Sequence, residues 1–218
     1  MAPTRVLVVF GSESGNARMA AKKMKETYQG NFTIIDAVQA NDVAGKVATK
    51  QLVQDCDVLV VTTSSHGEGD PPDNFASFLL ALIKSAKAGD KPLSGLQHCV
   101  LGFGESVYET FQNTPRLADK HLEECGSRRL MPRVEIDMDE DESATKKAEF
   151  QKSFIAALKT LPAATSKPAC DWKVPAGKIL AKSESELGGA SGMSTQDLIM
   201  VGMAVLVAGS GYYYMNYM

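Results

Sequence analysis

Cysteine is scarce in this chain, basic residues hold no majority, and no apolar stretch precedes the first predicted strand. The four cysteines, Cys56, Cys99, Cys125 and Cys170, have neither CxxC nor metal-type spacing, and Cys56 and Cys99 fall in or beside predicted core strands. They read as reduced, mostly buried thiols of an intracellular protein, with no metal site expected. A net charge of −3 over 218 residues argues against nucleic acid as the main partner, since a phosphate backbone demands clustered Lys and Arg. Arg5 leads directly into a strand, so no secretory or transit segment is expected there. The length suits one well-buried domain and an appendage.

Charge is also missing from residues 198–218, and 198–207 are almost entirely apolar. About 20 residues at ~1.5 Å each cross a ~30 Å hydrocarbon core, so a single transmembrane helix is expected here as a tail anchor. The rival is an interfacial or buried tail. Tyr212, Tyr213, Tyr214 and Tyr217 suit the far interface, and Ala204, Ala208 and Gly211 form a small-residue face able to pack on transmembrane helices of a larger complex. Residues 162–196, rich in Pro, Ala, Ser, Gly and Lys, read as a tether of about 35 residues. Trp172 within it is expected either to dock on a partner or to pack back on the domain.

Residues 1–161 alternate strand and helix patterns. Strands are expected over 6–10, 32–35, 58–62, 99–103 and 130–136, and helices over 17–28, 74–87, 114–125 and 146–161, with a weaker segment over 43–53. Alternation implies parallel strands joined by right-handed crossovers with helices on both faces. The pattern suits a doubly wound α/β sheet of five strands in the order 2-1-3-4-5, whose ligand sits beyond the carboxyl ends of the strands.

Three loops gather there. Ser12, Glu13, Ser14, Gly15, Asn16 and Ala17 join the first strand to a helix, and their hydroxyls and N–H groups form an anion socket that needs no fixed positive charge. The alternative is a serine that merely caps the helix. The loop after the third strand runs Ser64, Ser65, His66, Gly67, Glu68, Gly69, Asp70, with Asp73 placed to cap the next helix. The loop after the fourth strand brackets Phe103 with Gly102 and Gly104 and continues through Glu105 to Tyr108 and Phe111.

Taken together, these loops resemble the flavodoxin family, and specifically the FMN-binding domain of membrane-bound NADPH-dependent diflavin reductases. The resemblance covers residues 4–161. It implies FMN as cofactor, with Ser12, Glu13, Ser14, Gly15, Asn16 and Ala17 on its phosphate and Ser64, Ser65 and His66 in the loop below the ring. Gly67, Phe103, Gly104 and Glu105 would line the isoalloxazine edge through backbone groups, Tyr108 would stack on one face with Phe111 nearby, and Asp137 or Asp139 would meet the sugar-like chain. The resemblance further implies that the Gly67 peptide can turn toward the protonated N5 of the half-reduced flavin. His66 departs from the family, which has Tyr or Trp there. Imidazole stacks less and can carry a proton, so affinity and potential are expected to change, the alternative being a tolerated loop residue.

The expected function is a membrane-anchored FMN carrier passing single electrons between a separate reductase and an acceptor. No FAD or NADPH module follows, so a self-sufficient oxidoreductase is not expected. The alternatives are an accessory subunit of a respiratory complex, with or without flavin, and an NAD(P)H:quinone reductase. Acidic residues from Asp137 to Glu142, with Glu68, Asp70 and Asp73, would steer basic redox partners, or cap and solubilise the last helix. The flavin domain is expected on the cytosolic or matrix side of an endoplasmic reticulum or mitochondrial membrane.

Overall fold

A computed structural model describes residues 3–139 and 143–161. The predicted tether, Trp172, Cys170, the acids at 140–142 and the predicted span at 198–218 lie outside the described residues. No helix among the described residues is long and apolar enough to cross a membrane.

The elements run β1 (Thr4–Phe10), α1 (Asn16–Thr27), β2 (Phe32–Gln39), a 3-10 turn (Ala40–Val43), α2 (Gly45–Ala48), α3 (Gln51–Asp55), β3 (Val58–Ser64), α4 (Asp73–Lys87), β4 (Gln97–Gly104), α5 (Asn113–Glu124), β5 (Arg128–Arg129), β6 (Val134–Asp137) and α6 (Ser143–Lys159). All strands pair in parallel, in the order β2-β1-β3-β4-β5, with β6 also on β4. The strand order is therefore the one the alternation predicts.

Successive β1 side chains explain the layering. Val6, Val8 and Phe10 face one core, shared with Phe150 and Phe154 of α6 and Ala17 and Ala21 of α1. Leu7 and Val9 face the other, shared with Phe75, Phe78 and Leu82 of α4 and Leu117 and Leu122 of α5. A strand apolar on both sides is what a doubly covered parallel sheet requires.

The fifth strand departs from the continuous one expected over 130–136. It is split: Arg129 lies opposite His98 and Val134 opposite Leu101, so residues 130–133 span a gap that only 99–100 occupy on β4. Leu130 donates its N–H to the His98 carbonyl at 2.7 Å before the chain leaves the ladder, and Pro132 has no N–H to continue it.

Polar groups pack against the break. Asp119 of α5 accepts from Arg129 Nε at 2.8 Å and Arg133 Nη1 at 2.6 Å, and its Oδ1 lies 3.2 Å from His98 Nε2. Glu135 accepts from Arg116 at 2.9 and 2.7 Å and from Arg133 at 2.9 Å. Burial pushes the His98 imidazole below its usual range, the Asp119 hydrogen bond opposing. Burial alone would raise Asp119, but the His98 hydrogen bond and the Arg129 charge outweigh it and hold the carboxyl low. Cys56, Cys99 and Cys125 are buried free thiols, and burial lifts Cys56 to about 12 and Cys125 to about 11.

Candidate functional site

A cleft of about 380 Å³ opens at the carboxyl ends of β1, β3 and β4, within the range of small-molecule sites. Three loops build its walls, and each is tied to another by hydrogen bonds between distant parts of the chain.

The first loop runs from Gly11 to Gly15. Gly15 is the N-cap of α1 at φ 97, a left-handed conformation costly for residues with a Cβ, and no side chain caps the helix. The serine-cap alternative is thus not what the structure adopts. The Ser12 hydroxyl accepts from the Gly15 N–H at 3.0 Å, so its own proton can still be donated. The N–H groups of Asn16, Ala17 and Arg18 find no acceptor among the described residues. Together with the Ser14 hydroxyl they make a set of convergent donors at a helix N-terminus, suited to an anion.

Glu13 is turned elsewhere. Its Oε1 accepts the N–H of Asp73 at 3.0 Å, at the start of α4. Asp73 was expected to cap that helix, but it is the first helical residue, Pro72 stands at the N-cap without a side-chain bond, and Glu13 satisfies the orphan donor instead. Asn74 holds the same loop from the other side, its Oδ1 accepting from the Ser12 N–H at 2.9 Å.

The second loop folds back on itself at His66 and Asp70, with Asp70 N–H on the His66 carbonyl at 2.8 Å. Gly67 stands at φ 51, and its carbonyl accepts from the Thr110 hydroxyl at 3.3 Å. Gly69 is held harder, its carbonyl taking the Asn113 amide at 3.0 Å and the Thr114 hydroxyl at 3.2 Å. Ser65 Oγ accepts the Thr114 N–H at 2.8 Å.

The third loop follows β4. The Phe103 side chain is buried in the sheet core, so only its backbone faces the cleft, whereas Tyr108 and Val107 stand 60% and 72% exposed. Asp137 is buried, its Oδ1 accepting from the N–H groups of Ser106 and Asp139 at 3.1 Å each, and the Ser106 hydrogen bond holds its carboxyl below the usual range.

Of the residues predicted from sequence, the structure brings Glu13, Ser14, Asn16, Ser64, Ser65, His66, Gly67, Phe103, Gly104, Glu105, Tyr108 and Phe111 to the cleft wall. Ser12, Gly15 and Ala17 stand behind it as the turn and the helix start; Ala17 has no exposed surface and offers only its backbone. Asp139 is outside the wall and exposed. Thr110, Gln112 and Met138 line the cleft without having been singled out. Thr110 lies inside the third motif, which could have flagged it. Gln112 carried no sequence signal: it is fully buried at φ 62, donating to the Ile136 carbonyl at 3.1 Å with its Oε1 against Gly102, where a side chain would collide with it.

Comparison with known proteins adds to this geometry. The family model described as Flavodoxin matches residues 8–150. The NADPH sulfite reductase flavoprotein alpha-component of Bacillus subtilis is 34% identical over 165 residues, 75% of this chain and 25% of that protein. The methionine synthase reductase of Caenorhabditis elegans is 34% identical over 136 residues, 62% of this chain and 19% of that one. The chain thus spans about a quarter or less of the length of the curated relatives it matches. Among solved structures, oxidised flavodoxin 1 from Bacillus cereus superposes with a TM-score of 0.52 at 24% identity, covering 70% of this chain and 98% of the other. A short-chain flavodoxin associated with a bacterial microcompartment gives 0.53 at 19% identity, covering 71% and 99%. These two likenesses concern the fold.

Proposed function

The chain belongs to the flavodoxin family, and from that premise we propose that the cleft holds FMN and that the protein passes single electrons between a separate reductase and an acceptor at a membrane. One observation carries the reading: a helix start with unpaired N–H groups and an exposed tyrosine belong to the same cleft.

The residues present fit the group. The donors of residues 16–18 and the hydroxyls of Ser12 and Ser14 suit a phosphate, and Gly15 lets the backbone approach it closely. Tyr108, more than half exposed without a ligand, supplies a ring face for stacking, while the backbone of Phe103 and Gly104 meets a ring edge. His66 stands in the cleft wall where a second stacking partner would be, and offers less area.

Bound FMN supplies the redox chemistry, and the protein supplies position and electrostatics. Glu13 and Glu105 in the wall and Asp137 beside it oppose added negative charge, which lowers the potential at which the site accepts electrons. Glu68, Glu105, Glu109 and Asp139 are exposed around the opening and favour a basic redox partner through long-range attraction. The apolar residues 198–218 support a membrane location, with the domain on the cytosolic or matrix face, and the tether-like composition of 162–196 supports a domain that reaches partners from there.

Reconstitution of the purified chain with FMN and titration with dithionite tests the reading. The expected result is one FMN per chain, reduced reversibly; absence of any flavin binding overturns it.

A further inference from the structure

Arg18 is the third residue of α1 and sits in a place that helix electrostatics disfavours. The N-terminus of a helix carries partial positive charge, so a cation in the first turn is repelled and an acid favoured. The first turn of α1 holds no acidic residue. Helical side chains lean back toward the N-terminus, and the Arg18 guanidinium does so: its Nη2 lies 3.5 Å from where a Cβ on Gly15 would stand.

Nothing within the described residues draws it there. Four of the other five arginines, Arg5, Arg116, Arg129 and Arg133, are paired with carboxylates. Among the described residues the Arg18 side chain has no hydrogen-bond or ion-pair partner. An exposed guanidinium with no partner among the described residues therefore lies beside the left-handed turn at the N-terminal end of α1, the helix end whose Ser14 and Asn16 line the cleft.

We propose that Arg18 is a phosphate ligand of this cleft and the residue that makes binding select the phosphorylated flavin over riboflavin. This rests on the FMN reading and adds to it a full positive charge where the loop by itself offers only neutral donors. A guanidinium gives charge-assisted hydrogen bonds to phosphate oxygens, roughly twice as strong as neutral ones. Without a dianion the charge is unfavourable to α1; with one bound it is neutralised. Riboflavin, having the ring and the sugar-like chain but no phosphate, gains nothing from it.

The test compares FMN and riboflavin binding, by fluorescence quenching of the free flavin, in the full chain and in Arg18→Gln. Arg18→Gln is expected to weaken FMN about tenfold or more, as loss of a hydrogen bond to a charged group implies, and to leave riboflavin affinity unchanged. The salt dependence of FMN binding should become shallower, and the flavin-free variant should melt no lower than the flavin-free parent. Equal affinity of parent and variant for FMN, or the same fold-loss for both ligands, overturns the role of Arg18 while leaving the FMN reading intact. A parent chain that binds neither ligand overturns both.

Discussion

Asp119 has two arginines and a histidine around a carboxylate that is only 1% exposed. Deleting its charge leaves Arg129 and Arg133 without their shared anion, and removal of one partner from a buried ion pair costs more than the pair's net contribution. Asp119→Asn is therefore expected to lower unfolding free energy by about 3 kcal/mol at pH 7, measured by urea denaturation. His98 sets a pH dependence at the same place. Its folded-state proton affinity is depressed by burial, so the unfolded chain binds a proton that the folded chain does not. Stability is then full above about pH 6.5, the ordinary histidine value, and falls as pH drops below it. Urea midpoints between pH 7.5 and pH 5 should show that decline, and His98→Gln should flatten it. Asp119, held low, adds a second loss nearer pH 4, where carboxylates of unfolded chains protonate.

Among the elements, the start of α4 depends on a residue sixty positions away. Glu13 binds the Asp73 N–H, while Asn74 binds back to the Ser12 N–H, so the helix and the first loop hold each other. Glu13→Ala removes an N-terminal hydrogen bond and a favourable helix-dipole contact, expected to cost about 1 kcal/mol in thermal or urea unfolding. The same change takes a negative charge away from the anion socket, so FMN affinity should hold or rise. A drop in affinity would show that Glu13 acts on the ligand directly rather than on α4. The split of the fifth strand is a similar dependence between elements, since Arg133, lifted out by the gap at 130–133, reaches the Asp119 carboxylate on α5.

For the whole molecule, the two cores among the described residues draw on the chain from Val6 to Leu161. A chain ending at 161 is expected to unfold in one transition at the same midpoint as the full chain and to bind FMN with the same affinity. The full chain alone should float with liposomes in a density gradient, as the proposed span over 198–218 requires; equal flotation of both would place membrane affinity in the flavodoxin-like domain. Electron transfer to a basic partner should slow as ionic strength rises, because the acidic rim acts over distances comparable with the Debye length.

The chain by itself determined which segments become strands and helices, the parallel order of the sheet, and the three loops that meet at its carboxyl edge. Those features are local or topological: an apolar run buried on both faces, a glycine at a turn, a crossover that closes with one hand. The turn after β1 was legible for the same reason, since a strand, a turn and a helix N-terminus within a dozen residues leave unpaired donors there, whereas FMN came from the resemblance of all three loops taken together. Only the tertiary structure decided the partners. It turned Glu13 away from the socket toward α4, buried Asp137 under Ser106 while leaving Asp139 outside the cleft, put Gln112 beneath Gly102, broke the fifth strand over the Asp119 network, and folded Arg18 onto Gly15. Which donor meets which acceptor across sixty residues depends on how the helices seat on the sheet, and no spacing in the sequence contains that distance.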